Sequence, residues 1–293
     1  MKEKSLAILY DEDRRFLPSD PAAIDKFLLS AKKHRLNSKI IKEVQLNELR
    51  ECDGLFIRNT TSKINETYHF AAMAHMLDMP CIDDIYSIGF CTDKIKQAHS
   101  YHMNNILTPL TFCISRNNFD FIGRIIKFPA VIKRPDGCFS RGVYKARDKV
   151  EYEKMCYDLF KKPEIYELVV QQFVKTEFDW RICLLSNKAL FAVKYYIPAG
   201  DFRIVKYKNN DEYVEGEHEC VPLDQVPEHV MRAAYQASIC AGNGLYGVDI
   251  KDKDNSAYVI ETNDNPSIDA GIEDGLEQDK IYDSIITWFA DRL

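Results

Sequence analysis

The segment that most restricts this chain lies near its end. It reads Gly247-Val248-Asp249-Ile250-Lys251, a polar link from Asp252 to Ser256, then Tyr258-Val259-Ile260-Glu261-Thr262-Asn263. Two apolar, β-branched runs around a short polar link predict an antiparallel hairpin. Side chains alternate faces along a strand, so Glu261 and Asn263 share one face, and Ile260 and Thr262 share the other. With a link of this length, Asp249 falls opposite or diagonal to Glu261, within about 5–8 Å. Three oxygen-bearing groups thus converge. Magnesium takes such hard oxygen ligands and completes its shell with water and phosphate oxygens. An ordinary solvated hairpin face accounts for the same residues, but the rigid polar continuation Asn263-Asp264-Asn265-Pro266 weighs against it.

A second segment, Val131-Ile132-Lys133-Arg134, sets a lysine in an apolar strand. The loop that follows, Pro135 to Gly142, holds two glycines and Ser140. Small residues let backbone N–H groups approach an anion closely, as a phosphate-cradling loop requires. A plain hairpin turned at Asp136-Gly137 explains the loop equally well. It matches neither G-x-x-x-x-G-K-[ST] nor G-x-G-x-x-G, which disfavours P-loop and Rossmann folds. Lys94 stands near the start of its helix, where the dipole disfavours a cation by roughly 0.3 kcal/mol or more. A bound phosphate would explain that placement. So would neighbouring Asp93 or simple solvation.

The order of elements sets the architecture. Ser5 to Tyr10 reads as a buried strand. Asp20 can cap a helix that opens at Pro21, with Ile24, Phe27, Leu28 and Ala31 on one face. Gly54 to Arg58 is a second strand and Asn65 to Leu77 a second helix, giving a small open parallel α/β sheet through about residue 90. From Cys91 the texture becomes α+β. Helices at about Asp93 to Asn104, Lys149 to Phe160 and Val226 to Cys240 punctuate strands at Ala130 to Lys133, Val143 to Ala146, Leu168 to Phe173, Arg181 to Leu185 and Phe191 to Tyr196.

The 293 residues suffice for two or three cores, and 46% hydrophobic with 29% charged residues is a globular profile. No run nears the ~18–20 apolar residues of a membrane span, and the N-terminus lacks a secretory pattern. Nine scattered cysteines without a C-x-x-C pair predict reduced thiols and a cytoplasmic location. A net charge of −6 argues against a general nucleic-acid ligand. A homo-oligomer is compatible with all of this.

Taken in order, LFIRNTT (Leu55 to Thr61), CTDK (Cys91 to Lys94), IKRPDGCFSRGV (Ile132 to Val143), TEFDWR (Thr176 to Arg181), LFAVKYY (Leu190 to Tyr196), YGVDIK (Tyr246 to Lys251) and VIETNDNPSIDAGIED (Val259 to Asp274) resemble the ATP-grasp superfamily. Within it the chain is similar to the RimK-type α-L-glutamate ligases, over nearly its whole length. The resemblance implies a pre-ATP-grasp domain at 1–90 and an ATP-grasp domain at 91–293, with a nucleotide-binding subdomain at about 91–168 and a metal-binding, catalytic subdomain at about 169–293. It implies ATP with magnesium, or manganese in its place, held by Asp249, Glu261 and Asn263. Lys94 and Lys133 correspond to phosphate-contacting lysines, Ser140 to the loop over the phosphates, and Gln171, Gln172, Phe173 and Val174 to the adenine hinge. Asp179 corresponds to an acidic residue near the ribose, and Arg181 and Arg203 to cleft arginines beside the acyl phosphate. The implied reaction joins a carboxylate to an amine, on an amino acid, a peptide or a protein tail. Gln172 stands where these ligases often have Glu, and the Ser-Asn that follows the arginine in RimK is absent after Arg203. An ATP-binding regulatory protein and an ATP-grasp phosphotransferase are the alternatives. The latter would need a phosphate-carrying residue, and none of the seven histidines stands in a distinctive motif.

Overall fold

A computed structural model describes residues 3–137, 141–207 and 213–293. The first unit runs β1 (Lys4–Leu9), α1 (Pro21–Lys33), β2 (Leu36–Ile41), β3 (Gly54–Ile57), α2 (Glu66–Met76), β4 (Cys81–Ile82), α3 (Ile85–Cys91) and α4 (Lys94–Met103). Its four strands form a parallel sheet in the order β2-β1-β3-β4. Asp20 caps α1 by accepting from the Ala23 N–H, and Pro21 occupies the first turn, where a missing N–H costs nothing. β2 was not expected from the sequence. As an edge strand it buries only its end residues, Leu36 and Ile41, so its apolar signal is thin.

The second unit runs β5 (Thr111–Ser115), α5 (Phe119–Ile122), β6 (Ala130–Lys133), β7 (Tyr144–Ala146), α6 (Lys149–Phe160) and β8 (Glu167–Gln172). Its antiparallel sheet, ordered β5-β8-β6-β7, packs one face on α5 and α6. The third unit contributes β9 (Phe178–Leu185), β10 (Lys188–Tyr196), β11 (Val205–Tyr207), β12 (Tyr213–Glu215), β13 (His218–Val221), α7 (Glu228–Ala241), β14 (Leu245–Lys253), β15 (Ser256–Asp264) and α8 (Asp279–Ala290). Five of these strands form a sheet in the order β13-β10-β9-β14-β15.

Strand alternation divides this central sheet. Trp180, Ile182, Leu184, Val248 and Ile250 point toward α7 and α4 and form one core. On the opposite face Cys183, Leu185, Phe191, Val193 and Leu245 pack against the first unit, and the rest of that face is left for a cleft. The short link after β8 joins the two antiparallel sheets and spans the back of the cleft.

Helix α8, also unexpected, returns to α1, and Ile281, Tyr282, Ile285 and Phe289 enter the core of the first unit. Phe27 meets Phe56 and Tyr282 edge to face, at centroid distances of 4.9 and 4.8 Å. Such pairs add about 0.5–1.5 kcal/mol each beyond the area they bury. The far end of the chain therefore completes the core of the first unit.

Arg58 fastens the junction. It is fully buried and donates to Ser19 Oγ, to the Pro18 and Pro266 carbonyls and to Asn265 Oδ1, the last at 2.6 Å. Asn265 in turn donates to the Asn59 carbonyl at 2.6 Å. The segment that follows β15 is thereby held against the first unit.

Candidate active site

A cleft of about 420 Å³ opens between the two antiparallel sheets, with the first unit closing one end. The β14–β15 hairpin floors it. Asp249 pairs directly opposite Glu261, and Gly247 opposite Asn263. The turn is tighter than the sequence suggested. Asp252 and Lys253 remain in the strand, and Asp254-Asn255 alone turn the chain, both with positive φ (52° and 58°), as a two-residue turn of the primed type requires. One expectation about the faces is corrected. Thr262 is buried on the far side beside Gln97 and Tyr101, but Ile260 lines the cleft with Glu261. The register skips a residue between Asp249 and Ile250, and this β-bulge turns Ile260 to the cleft side.

Asp249 is gripped by Arg181, with Nε donating to Oδ1 at 2.8 Å and Nη2 to Oδ2 at 2.9 Å. Asn263 Nδ2 donates to Asp249 Oδ2 at 3.1 Å. Lys94 Nζ lies 2.9 Å from Glu261 Oε2 and donates to the Gly137 carbonyl at 2.6 Å. Burial pushes the Glu261 carboxyl up, but Lys94 and Lys133 together outweigh it and hold it at about 2. At Asp249 burial prevails over the pull of Arg181 and raises the carboxyl. Two carboxylates and a side-chain amide on one face form a hard-oxygen donor set that suits magnesium. Among the described residues no group of three or more His, Cys, Asp or Glu side chains is placed to hold a metal ion, and the third donor of this set is an amide.

Lys133, on β6, faces this floor from the opposite sheet and is 5% exposed. Its Nζ donates to Gln171 Oε1 at 3.1 Å, and Gln171 Nε2 donates to Thr111 Oγ1 at 2.9 Å. Burial lowers its pKa to about 8, against an opposing pull from Glu261. Gln171, Gln172, Phe173 and Val174 line the back of the cleft along the link between the sheets. Asp179 forms an ion pair with Lys251, and Lys251 also donates to Thr176 Oγ1 at 3.1 Å. Arg203 reaches the cleft wall with its guanidinium on Asp201, at 3.0 Å. Ser140 lies outside the described residues. All the other sequence-derived candidates line this one cleft.

Among the cleft residues that escaped the sequence reading are Lys251, Tyr195 and Glu273. Lys251 stands two positions after Asp249 on β14, so strand alternation alone would have found it. Tyr195 and Glu273 lie within quoted motifs, but only the folded chain brings them together: the Tyr195 hydroxyl donates to Glu273 Oε1 across 78 residues.

Residues 91–286 match the model of the RimK-like ATP-grasp domain. The chain belongs to the RimK-like ATP-grasp family. Among RimK-like relatives, a probable alpha-L-glutamate ligase from Vibrio atlanticus is 25% identical over 220 residues, which cover 73% of this chain and 69% of that protein. An alpha-aminoadipate–LysW ligase, LysX, from Sulfolobus acidocaldarius is 27% identical over 225 residues, 72% of this chain and 73% of its own. A solved D-alanine–D-alanine ligase from Bacillus anthracis superposes with a TM-score of 0.72 at 17% identity, covering 99% of this chain and 96% of that one. The D-cycloserine synthetase DcsG gives 0.72 at 13% identity over 98% and 99%. These structural likenesses show the ATP-grasp fold, and at the level of the superfamily this RimK-like chain is an ATP-grasp ligase. No helix among the described residues is long and apolar enough to cross a membrane.

Proposed function

We propose that the chain is an ATP-dependent carboxylate–amine ligase that works through an acyl phosphate and adds an amino acid to a peptide or small-molecule acceptor. The observation that carries this reading is the convergence of Asp249, Glu261 and Asn263 on one wall of a cleft whose other wall presents Lys133. Hard oxygen donors facing a buried ammonium suit a metal–polyphosphate ligand better than a neutral one.

A carboxylate is a poor electrophile. In the proposed reaction its oxygen attacks the γ-phosphorus of ATP, the bond to the bridging oxygen breaks, and ADP leaves. Lys133 and Lys94 stabilise the charge that builds on the transferred phosphoryl group. Magnesium, when held by Asp249, Glu261 and Asn263, supplies further charge neutralisation. Ile260 and Val174 offer apolar surface to the nucleotide base; the Gln172 and Phe173 N–H groups already donate to the Leu110 and Pro129 carbonyls, so the base edge would be read by the remaining backbone groups of Gln172 to Val174. Arg181 and Arg203 orient the acyl phosphate through their planar, multiply donating guanidinium groups. The amine, having lost its proton, then attacks the acyl carbon and inorganic phosphate leaves. The cleft walls keep water from the acyl phosphate in the interval. Asp179 serves the ribose end.

The relatives support an amino-acid substrate, since their names specify glutamate and α-aminoadipate. The test is product analysis. The protein is incubated with Mg-ATP and each of the common amino acids, with and without hydroxylamine as a generic amine. ADP and phosphate released only with a carboxylate, together with an acyl hydroxamate, are expected. AMP with pyrophosphate would overturn the acyl-phosphate route. A phosphorylated final product would indicate a phosphotransferase, and binding without any release a regulatory protein.

A further inference from the structure

The C-terminal part of the motif that begins at Val259 is not used by the proposed chemistry, yet it delivers one buried acid to the cleft. Glu273 is 3% exposed, and a carboxylate so placed is costly unless its oxygens are satisfied. Oε1 accepts the Tyr195 hydroxyl, and Oε2 accepts the Asp269 backbone N–H at 2.7 Å. The Tyr195 ring carries the contact onward, since the Arg181 guanidinium carbon sits 5.2 Å from its centroid, within the range of a cation–π contact. Arg181 then spends two of its five N–H donors on Asp249. A continuous chain of contacts therefore runs from the Asp269 backbone amide, through Glu273, Tyr195 and Arg181, to the floor of the site.

We infer that Glu273 is a positioning residue: by fixing the Tyr195 ring it sets the plane of the Arg181 guanidinium, which lines the cleft. The geometry suits that role better than simple packing. An apolar residue would fill the same space behind Tyr195 without a buried carboxylate, but it would leave the phenol free to rotate and its hydroxyl unsatisfied. The loop that holds Glu273 is itself anchored, because Ile268 donates to the Pro18 carbonyl at 2.8 Å and the Asp20 N–H donates to Asp269 Oδ1 at 2.7 Å. The orientation of Arg181 is thus tied to the docking of the first unit on the central sheet. The catalytic consequence rests on the ligase reading above; the chain of contacts does not.

Two readouts separate them. The first is the Arg181 Nε–H signal in two-dimensional nitrogen–proton spectra, identified by its loss in Arg181→Lys and followed for hydrogen exchange in the protein without nucleotide. Glu273→Ala and Tyr195→Phe should each accelerate its exchange by about 10-fold or more, because both delete the hydrogen bond that holds the Tyr195 ring against the guanidinium. Glu273→Gln, which keeps an acceptor for the hydroxyl, should recover part of the protection. The second is hydroxylamine-dependent phosphate release against Mg-ATP affinity measured by calorimetry. The same variants should lose about 10-fold or more in kcat, with Mg-ATP affinity within about 3-fold of the parent, which also shows that they are folded. An Arg181 signal unchanged in both Glu273→Ala and Tyr195→Phe would overturn the inference. Faster exchange in a protein that makes no hydroxamate even as the parent would uphold the positioning chain and reject the ligase reading. Equal losses of kcat and Mg-ATP affinity with an undisturbed Arg181 signal would mark Glu273 as purely structural.

Discussion

Replacing Lys133 by Met separates a phosphate contact from a structural lysine more sharply than any other change. Met keeps the length and apolar stem of the side chain and removes only the ammonium. The magnitude follows from its surroundings. The pKa falls from an ordinary 10.5 to about 8, because burial penalises the charge more than Glu261 supports it. At 1.36 kcal/mol per pH unit, the folded protein spends about 3 kcal/mol keeping this amine charged at neutral pH. Against that stands one hydrogen bond to Gln171, worth about 1 kcal/mol, and among the described residues Lys133 forms no ion pair with a carboxylate. Lys133→Met should therefore leave the apo protein as stable as the parent or more stable by about 1–2 kcal/mol, a rise of a few degrees in melting temperature. Mg-ATP at about 100 times its Kd stabilises the parent by about 2.7 kcal/mol, and the variant should lose most of that gain. Differential scanning fluorimetry of both proteins, with and without Mg-ATP, reads both quantities. A variant that melts far below the parent in the apo state, yet gains the full shift with Mg-ATP, would refute the reasoning, since Lys133 would then be a structural cation that never meets phosphate.

Glu261→Gln and Asn263→Ala should each lower turnover at least ~100-fold with the fold intact by circular dichroism, because a positioned electrostatic group is worth ~3–4 kcal/mol; near-normal turnover at low magnesium would make the hairpin face ordinary polar surface. Affinity for Mg-ATP should fall as pH rises through about 8, where Lys133 loses its proton, and calorimetry on Lys133→Met should show no such inflection. The stability cost runs the other way: it is fully present below pH 8 and relieved toward 10.5, because the unfolded chain holds that proton longer. Gly247→Ala puts a Cβ 2.8 Å from Pro266 Cβ and 3.4 Å from Arg181 Cδ, so it should cost about 1–3 kcal/mol in chemical denaturation and reduce turnover through Arg181.

Much of the fold was legible because local signals agreed. Asp20 with Pro21, and the alternation of Tyr258 to Asn263, are strong short-range patterns, and both elements formed where they were expected. Helix α8 was missed although Ile281, Ile285 and Phe289 recur at helical spacing. Its first residue follows Gln278, which has positive φ and makes no side-chain cap, so nothing local announces the start. Ile260 was assigned to the wrong face because a bulge adds one residue to the period of two, and no residue type in Val259-Ile260-Glu261 signals it. The partners of the candidate residues were less legible still. That Arg181 grips Asp249, 68 residues further along the chain, depends on the pairing of β9 with β14.

Those partners give the cleft its electrostatic character. Beside the hairpin floor Lys94, Lys133, Arg181 and Lys251 meet Asp179, Asp249 and Glu261, and Arg203, Asp136, Asp264, Asp269 and Glu273 line the same cleft. Three of these anions have a cation on them: Asp179 has Lys251, Asp249 has Arg181 and Glu261 has Lys94. Lys133 has no such partner among the described residues, and its one hydrogen-bond partner there is a neutral amide. A polyphosphate entering the cleft thus meets one cation whose charge is costly and three whose donors it must share with carboxylates. Gain at Lys133 is large because the reference state is poor, and gain at the other three is small because theirs is good. Most of the phosphate affinity should then reside in the residue that contributes least to the apo fold. For the same reason, stabilising Lys133 with a new carboxylate, as in Gln171→Glu, should raise the apo melting temperature and weaken Mg-ATP binding together; a variant that gained stability and kept its affinity would show that the costly charge of Lys133 is not what the nucleotide uses.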